Sequence, residues 1–152
     1  MNFRIESAAS PAAQSLMAAL DDDILCRFPG EPTYGIDAAA FEAAGGVFAI
    51  CYVDDIPAAC GAIRPFEGSA EIKRMYVVPA LRGRGLARAM LAFLEAEAVR
   101  RGYARAVLET ICEMTAALTL YRSEGWREIP VFGPYIGNLR SVCFEKPLQR
   151  RG

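Results

Sequence analysis

The apolar residues of this chain change spacing repeatedly, and each change marks an element. Phe3 and Ile5 alternate with polar neighbours, which predicts a short first strand. Ser10 followed by Pro11 is a helix-start pair, Ser as N-cap and Pro at the first helical position. Leu16, Leu20 and Ile24 then recur four apart, giving an amphipathic helix to about Cys26. Pro29, Gly30, Pro32 and Gly35 make 28–35 a loop, and Asp37 caps a short helix over 38–44 that Gly45 and Gly46 end. Two apolar runs, 47–53 and 56–63, read as strands joined at Asp54-Asp55, and a turn at Glu67-Gly68 leads into a strand over 70–78 that Pro79 stops.

Helical spacing returns at Leu86, Met90, Leu91, Leu94 and Ala98, ending at Gly102. A buried strand over 104–111, a helix over 115–124 closed by Gly125, a short strand over 126–129, an irregular stretch over 130–138 and a last strand over 141–145 complete the chain. The order β-α-α-β-β-β-α-β-α-β-β predicts one α/β (α+β) domain over residues 1–152, a mixed sheet with helices on both faces.

Composition narrows the chemistry. There is no histidine, which removes His bases, His triads and His metal ligands. Five cysteines (Cys26, Cys51, Cys60, Cys112, Cys143) are scattered without a C-x-x-C pair and read as buried reduced thiols, so no metal site is expected. Net charge is −1 and pI near 5.6, which predicts no nucleic-acid partner. No apolar run is long enough for a membrane span, and the first six residues lack a signal pattern, so a cytoplasmic location is expected.

Lys73, Arg74, Arg82, Arg84 and Arg88 nevertheless crowd into one stretch. Arg82, Gly83, Arg84, Gly85, Leu86 and Ala87 join a strand to a helix, where glycines allow a tight turn and unpaired first-turn N–H groups attract a diphosphate. No Gly-Lys-Ser/Thr follows, and three spaced glycines are missing, so neither a Walker loop nor a dinucleotide fingerprint fits.

This stretch resembles the cofactor signature of the GNAT superfamily of N-acetyltransferases, [Gln/Arg]-x-x-Gly-x-[Gly/Ala], at Arg82, Gly85 and Ala87. The preceding Glu71 to Val77 resembles that family's fourth strand, and Ala117, Leu120, Tyr121, Gly125 and Trp126 match its Ala-x-x-Leu-Tyr-x-x-x-Gly-aromatic pattern. The resemblance implies a mostly antiparallel sheet of about seven strands and an acetyl-CoA-dependent N-acetyltransferase without a metal. It places the cofactor's pyrophosphate on the amides of 83–87, and its pantetheine arm along Met75, Tyr76 and Val77. Met114 stands where many members carry Asn or Gln, which removes a polar contact to that arm.

By the same resemblance Tyr121 is the general acid. A phenol of pKa about 10 gives its proton to a thiolate of about 8.5 only somewhat uphill. Glu71, expected in phase with Lys73 and Met75, is the first choice of base, and Glu109 and Glu113 are the fallbacks; acyl transfer through Cys112 lacks an activating base. The acceptor pocket implicates Phe28, Tyr34, Tyr135 and Arg140, which suit a small amine carrying a carboxylate, such as an amino acid. Two alternatives stand beside this reading, an acyl-CoA-binding sensor with little turnover and a protein N-acetyltransferase. A homodimer is compatible with such a fold.

Overall fold

Caps and turns set the element ends where the sequence signals them. In the computed structural model, described for residues 1–149, the chain runs β1 (Asn2–Glu6), α1 (Pro11–Arg27), α2 (Ala38–Ala43), β2 (Val47–Val53), β3 (Ile56–Phe66), β4 (Ser69–Val77), α3 (Leu86–Arg100), β5 (Arg105–Ile111), α4 (Thr115–Ser123), β6 (Arg127–Ile129) and β7 (Ser141–Pro147). Ser10 Oγ accepts from the Ala13 amide and Asp37 Oδ1 from that of Ala40, so both helices start on the side chains expected to cap them. Asp54, Asp55, Glu67 and Gly68 all have positive φ, which closes the β2–β3 and β3–β4 hairpins with turns that follow strand twist. Two 3₁₀ turns, Pro79–Leu81 and Gly133–Tyr135, occupy stretches read as a strand stop and as irregular chain.

The strands form one seven-stranded sheet in the order β1-β2-β3-β4-β5-β7-β6. β2 shows why its sequence is apolar throughout: Val47, Ala49 and Cys51 face α3, while Phe48 and Ile50 face α1. Cys51, Cys60 and Cys143 are buried as expected, but Cys26 and Cys112 are exposed, lying at the end of α1 and in the turn after β5.

Two irregularities at the centre of the sheet shape everything built on it. Among the described residues only β4 and β5 pair in parallel, and they do so over just three rungs, Ala70–Ala106, Glu71–Val107 and Ile72–Leu108. Beyond them β5 stays paired to β7 as far as Ile111, and β4 stays paired to β3, so the two strands part like a wedge.

The second irregularity is a bulge in β4. Lys73 pairs with Ala62 and Tyr76 with Cys60, so Arg74 and Met75 both stand opposite Gly61. Arg74 takes a φ of 59°, a left-handed conformation that costs a non-glycine residue about 1–2 kcal/mol. Its buried guanidinium meets that cost by donating to Asp21 Oδ1 (2.7 Å), Met17 O (3.1 Å) and Thr33 O (3.2 Å), tying α1 and the following loop to the strand.

The extra residue also shifts the alternation. Glu71 and Lys73 share the α1 face as expected, but Met75 falls on the α3 face, not in phase with them. Gly61 makes room for it. A Cβ there would lie 2.6 Å from Leu94 Cδ1 and 3.0 Å from Met75 Sδ. Gly61→Ala should therefore destabilise the fold by about 1–3 kcal/mol, read as a lower urea midpoint at unchanged slope; an unshifted midpoint would mean that the bulge and α3 adapt freely.

Candidate active site

Strands that part leave backbone groups without partners. The Val78 amide bonds Ala58 O, so along β4 residues 76 and 78 direct their N–H and C=O groups at β3. Met75 and Val77 direct theirs into the wedge. The Val77 carbonyl accepts from Arg82 Nε at 3.0 Å. This edge is laid out to receive an extended ligand as though it were another strand.

At the mouth of the wedge the chain makes a second polar feature. Gly83 and Gly85 have φ of 80° and 81°, and a Cβ at either would meet nothing within 4 Å, so backbone conformation and not crowding calls for glycine. Gly85 caps α3 without a side chain, and the first helical bond runs from the Ala89 amide to Gly85 O. The amides of Leu86, Ala87 and Arg88 thus have no helical acceptor and point outward with the positive end of the helix dipole.

Arg82 lies over the Tyr76 ring (5.5 Å) and 3.7 Å from Asp23 of α1, and Arg88 pairs with Glu124. Arg84 is exposed and stands off the cavity wall. The donors and charges suit a diphosphate.

Both features open into one cavity of about 590 Å³, within the range of small-molecule sites. Met75, Tyr76, Val77, Arg82, Gly83, Gly85, Leu86 and Ala87 all line it. So do Met114 and the start of α4.

Tyr121 reaches the cavity from α4 and is packed at its back by Trp126 (6.1 Å) and Phe144 (5.9 Å). Burial, reinforced by the charge of Glu109, pushes its phenol up to about 12. It therefore stays protonated at neutral pH.

Glu71, the first choice of base, does not line the cavity. It is fully buried, takes 2.7 Å and 2.5 Å hydrogen bonds from Arg64 and the Tyr135 hydroxyl, and has Lys73 Nζ 3.9 Å away. A carboxylate so enclosed has no path to an amine in the cavity.

Glu109 does line it. Burial lifts its carboxyl to about 7, with the charges of Glu31 and Glu71 adding to the rise, while Lys73 and a 2.5 Å hydrogen bond from Ser141 Oγ oppose it. That is the value wanted of a base at neutral pH.

The acceptor residues divide in the same way. Tyr34 and Tyr135 line the cavity with rings edge-to-face at 4.8 Å. Phe28 is buried beneath the Arg140 guanidinium (5.8 Å) and away from the cavity. Arg140 itself is engaged by Glu113 at 2.7 and 3.1 Å and by Glu31 at 3.6 Å, so both this arginine and the fallback base Glu113 are spent on each other.

Sequence reasoning missed Glu31, and treated Lys73 as part of a basic cluster and as a neighbour of Glu71; both line the cavity. Three charges, Glu71, Lys73 and Arg74, in an otherwise apolar central strand were the available signal.

The sequence matches the model of the acetyltransferase (GNAT) family over residues 14–126. It is 31% identical over 145 residues to an IAA acetyltransferase of Azospirillum brasilense, covering 94% of this chain and 95% of that protein. Among solved structures it superposes on a Klebsiella pneumoniae protein assigned as an acyl-CoA N-acyltransferase with a TM-score of 0.81 and 29% identity, covering 97% of each chain. A GNAT family acetyltransferase from Elizabethkingia anophelis, solved with acetyl-CoA bound, shares the fold at a TM-score of 0.73 and 16% identity over 97% of each chain.

The Glu109 carboxyl should titrate near pH 7 when followed by carbon NMR of labelled glutamate. Ser141→Ala should move that midpoint higher, because the lost hydrogen bond favours the ionised form. A midpoint near 4.5 would mean that the carboxyl is solvated.

Proposed function

The chain belongs to the acetyltransferase (GNAT) family, and on that premise we propose that it moves an acetyl group from acetyl-CoA to the amine of a small molecule by direct attack within a ternary complex. The observation that carries this reading is the meeting, in one cavity, of a strand edge that no neighbouring strand covers, a diphosphate-fitting helix start, a protonated phenol and a carboxyl of pKa about 7. Pantetheine would lie along Met75 and Val77, with the pyrophosphate on the amides from Gly83 to Ala87. The acetyl group then comes to the narrow end of the wedge, between Tyr121 and Glu109.

The proton balance follows from the two pKa values. An alkylamine of pKa about 10 enters protonated. Glu109, half ionised near pH 7, takes one proton, and the neutral amine attacks the thioester carbon. The N–C bond forms, the C–S bond breaks, and the second amine proton reaches the leaving sulfur through the Tyr121 hydroxyl. Glu109 returns its proton to solvent.

Full transfer from a phenol of about 12 to a thiolate of about 8.5 would be uphill by about 5 kcal/mol, against about 2 for an ordinary tyrosine. Transfer in concert with arrival of the amine proton avoids that free phenolate. The same dry surroundings raise the thiol and narrow the gap.

Thiol release from acetyl-CoA across a panel of small amines tests the scheme. The rate should rise with pH through a limb near 7, because the base works only when ionised. Glu109→Gln should remove that limb, lower kcat about 10²–10⁴-fold, and leave activity climbing only toward the pKa of the free amine. Tyr121→Phe should lower kcat at least tenfold, with acetyl-CoA affinity changed far less. No thiol release with any amine, or full turnover in both variants, would contradict it.

A further inference from the structure

The last rung of the parallel pair is Ile72–Leu108, so Lys73 and Glu109 are the first residues on either side of the gap. Ile72 and Leu108 both face α3, and alternation turns Lys73 and Glu109 together to the α1 face, where both line the cavity. A cation and a carboxyl therefore stand side by side at the narrow end of the wedge.

Each is short of partners. Lys73 Nζ donates to the Tyr135 hydroxyl at 2.9 Å, and Glu71 Oε2, at 3.9 Å, is beyond hydrogen-bond reach. Two of its three donors thus have no protein acceptor among the described residues, although the side chain is only 6% exposed. Glu109 receives one hydrogen bond, from Ser141 on Oε2. The other charges on this face have ion-pair partners: Arg74 pairs with Asp21 at 2.7 Å, its Nε alone lacking an acceptor among the described residues, and Glu31 binds Asn138 at 2.7 Å and Arg140 at 3.6 Å.

Buried donors left unmatched cost free energy, and a ligand that supplies their acceptors recovers it. A simple amine would satisfy Glu109 and leave Lys73 wanting. A ligand with an ammonium and a carboxylate on one carbon satisfies both.

We propose that the acceptor is a small zwitterion, an amino acid, held with its ammonium on Glu109 and its carboxylate on Lys73. The proposal rests on the acetyl-transfer reading and gives Lys73 the anchoring part that Arg140, bound to Glu113, cannot take. The Tyr34 and Tyr135 rings wall the space beside this pair.

The test is kcat/KM from thiol release for the common amino acids, each beside its carboxamide and its decarboxylated amine. At least one amino acid should exceed both of its derivatives by tenfold or more, mainly through a lower KM. Lys73→Met should bring that ratio close to one; its melting temperature shows whether the variant folds, and the comparison of derivatives on the unaltered protein needs no variant.

Amines turned over as well as, or better than, their parent amino acids would overturn the zwitterion while leaving acetyl transfer intact. So would a ratio that survives in Lys73→Met. Turnover of nothing would overturn both.

Discussion

The parallel pairing of β4 with β5 stops after three rungs, and the rest of the site depends on that interruption. Had the ladder run on, the edge groups of Met75 and Val77 would be spent on β5, and no gap would open beside Lys73 and Glu109. β5 parts from β4 without loss because its other edge is fully paired to β7, from Arg105–Pro147 to Ile111–Ser141. On the other side, the Arg74 bulge adds a residue to β4, turns Met75 toward α3, and sends a guanidinium to hold α1 and the loop at Thr33 beside the opening. A buried unpaired edge is a liability in a sheet; here it is the wall of a cavity.

The wedge also fixes the electrostatics. Desolvation is the leading influence on Glu109, Tyr121 and Lys73 alike, raising the first two and lowering the third. For Glu109 this is useful, since a carboxyl at about 7 can both take and release a proton near neutral pH. For Tyr121 it trades acidity for permanence, a phenol at about 12 remaining protonated throughout the physiological range. Glu71 is closed in by Arg64 and Tyr135 and does not line the cavity.

Much of this was legible in the sequence, and the part that was not has a physical cause. Ser10-Pro11, Asp37, the two hairpin turns and the Gly83–Gly85 turn are local signals, and each produced its element because a cap or a positive φ depends on few neighbours. The motif at Arg82, Gly85 and Ala87 lies at the strand–helix junction that lines the cavity, and its glycine is again a local signal. The signals for the proposed base and acceptor anchor were not local. Choosing Glu109 over Glu71 requires knowing that Arg64 and Tyr135, the second 64 positions away, close on Glu71. Excluding Arg140 requires its partners Glu113 and Glu31. The phase error at Met75 came from a bulge that no glycine announced, since Arg74 itself takes the left-handed conformation.

If the parted edge of β4 and the start of α3 together seat acetyl-CoA, amide hydrogen exchange shows it directly. On adding acetyl-CoA, the amides of Met75 and Val77 and those from Gly83 to Arg88 should become protected together, with no such change on adding ATP or NAD. Protection confined to the glycine turn, equal protection by ATP, or none at either place would contradict the account of the wedge as the seat of the cofactor.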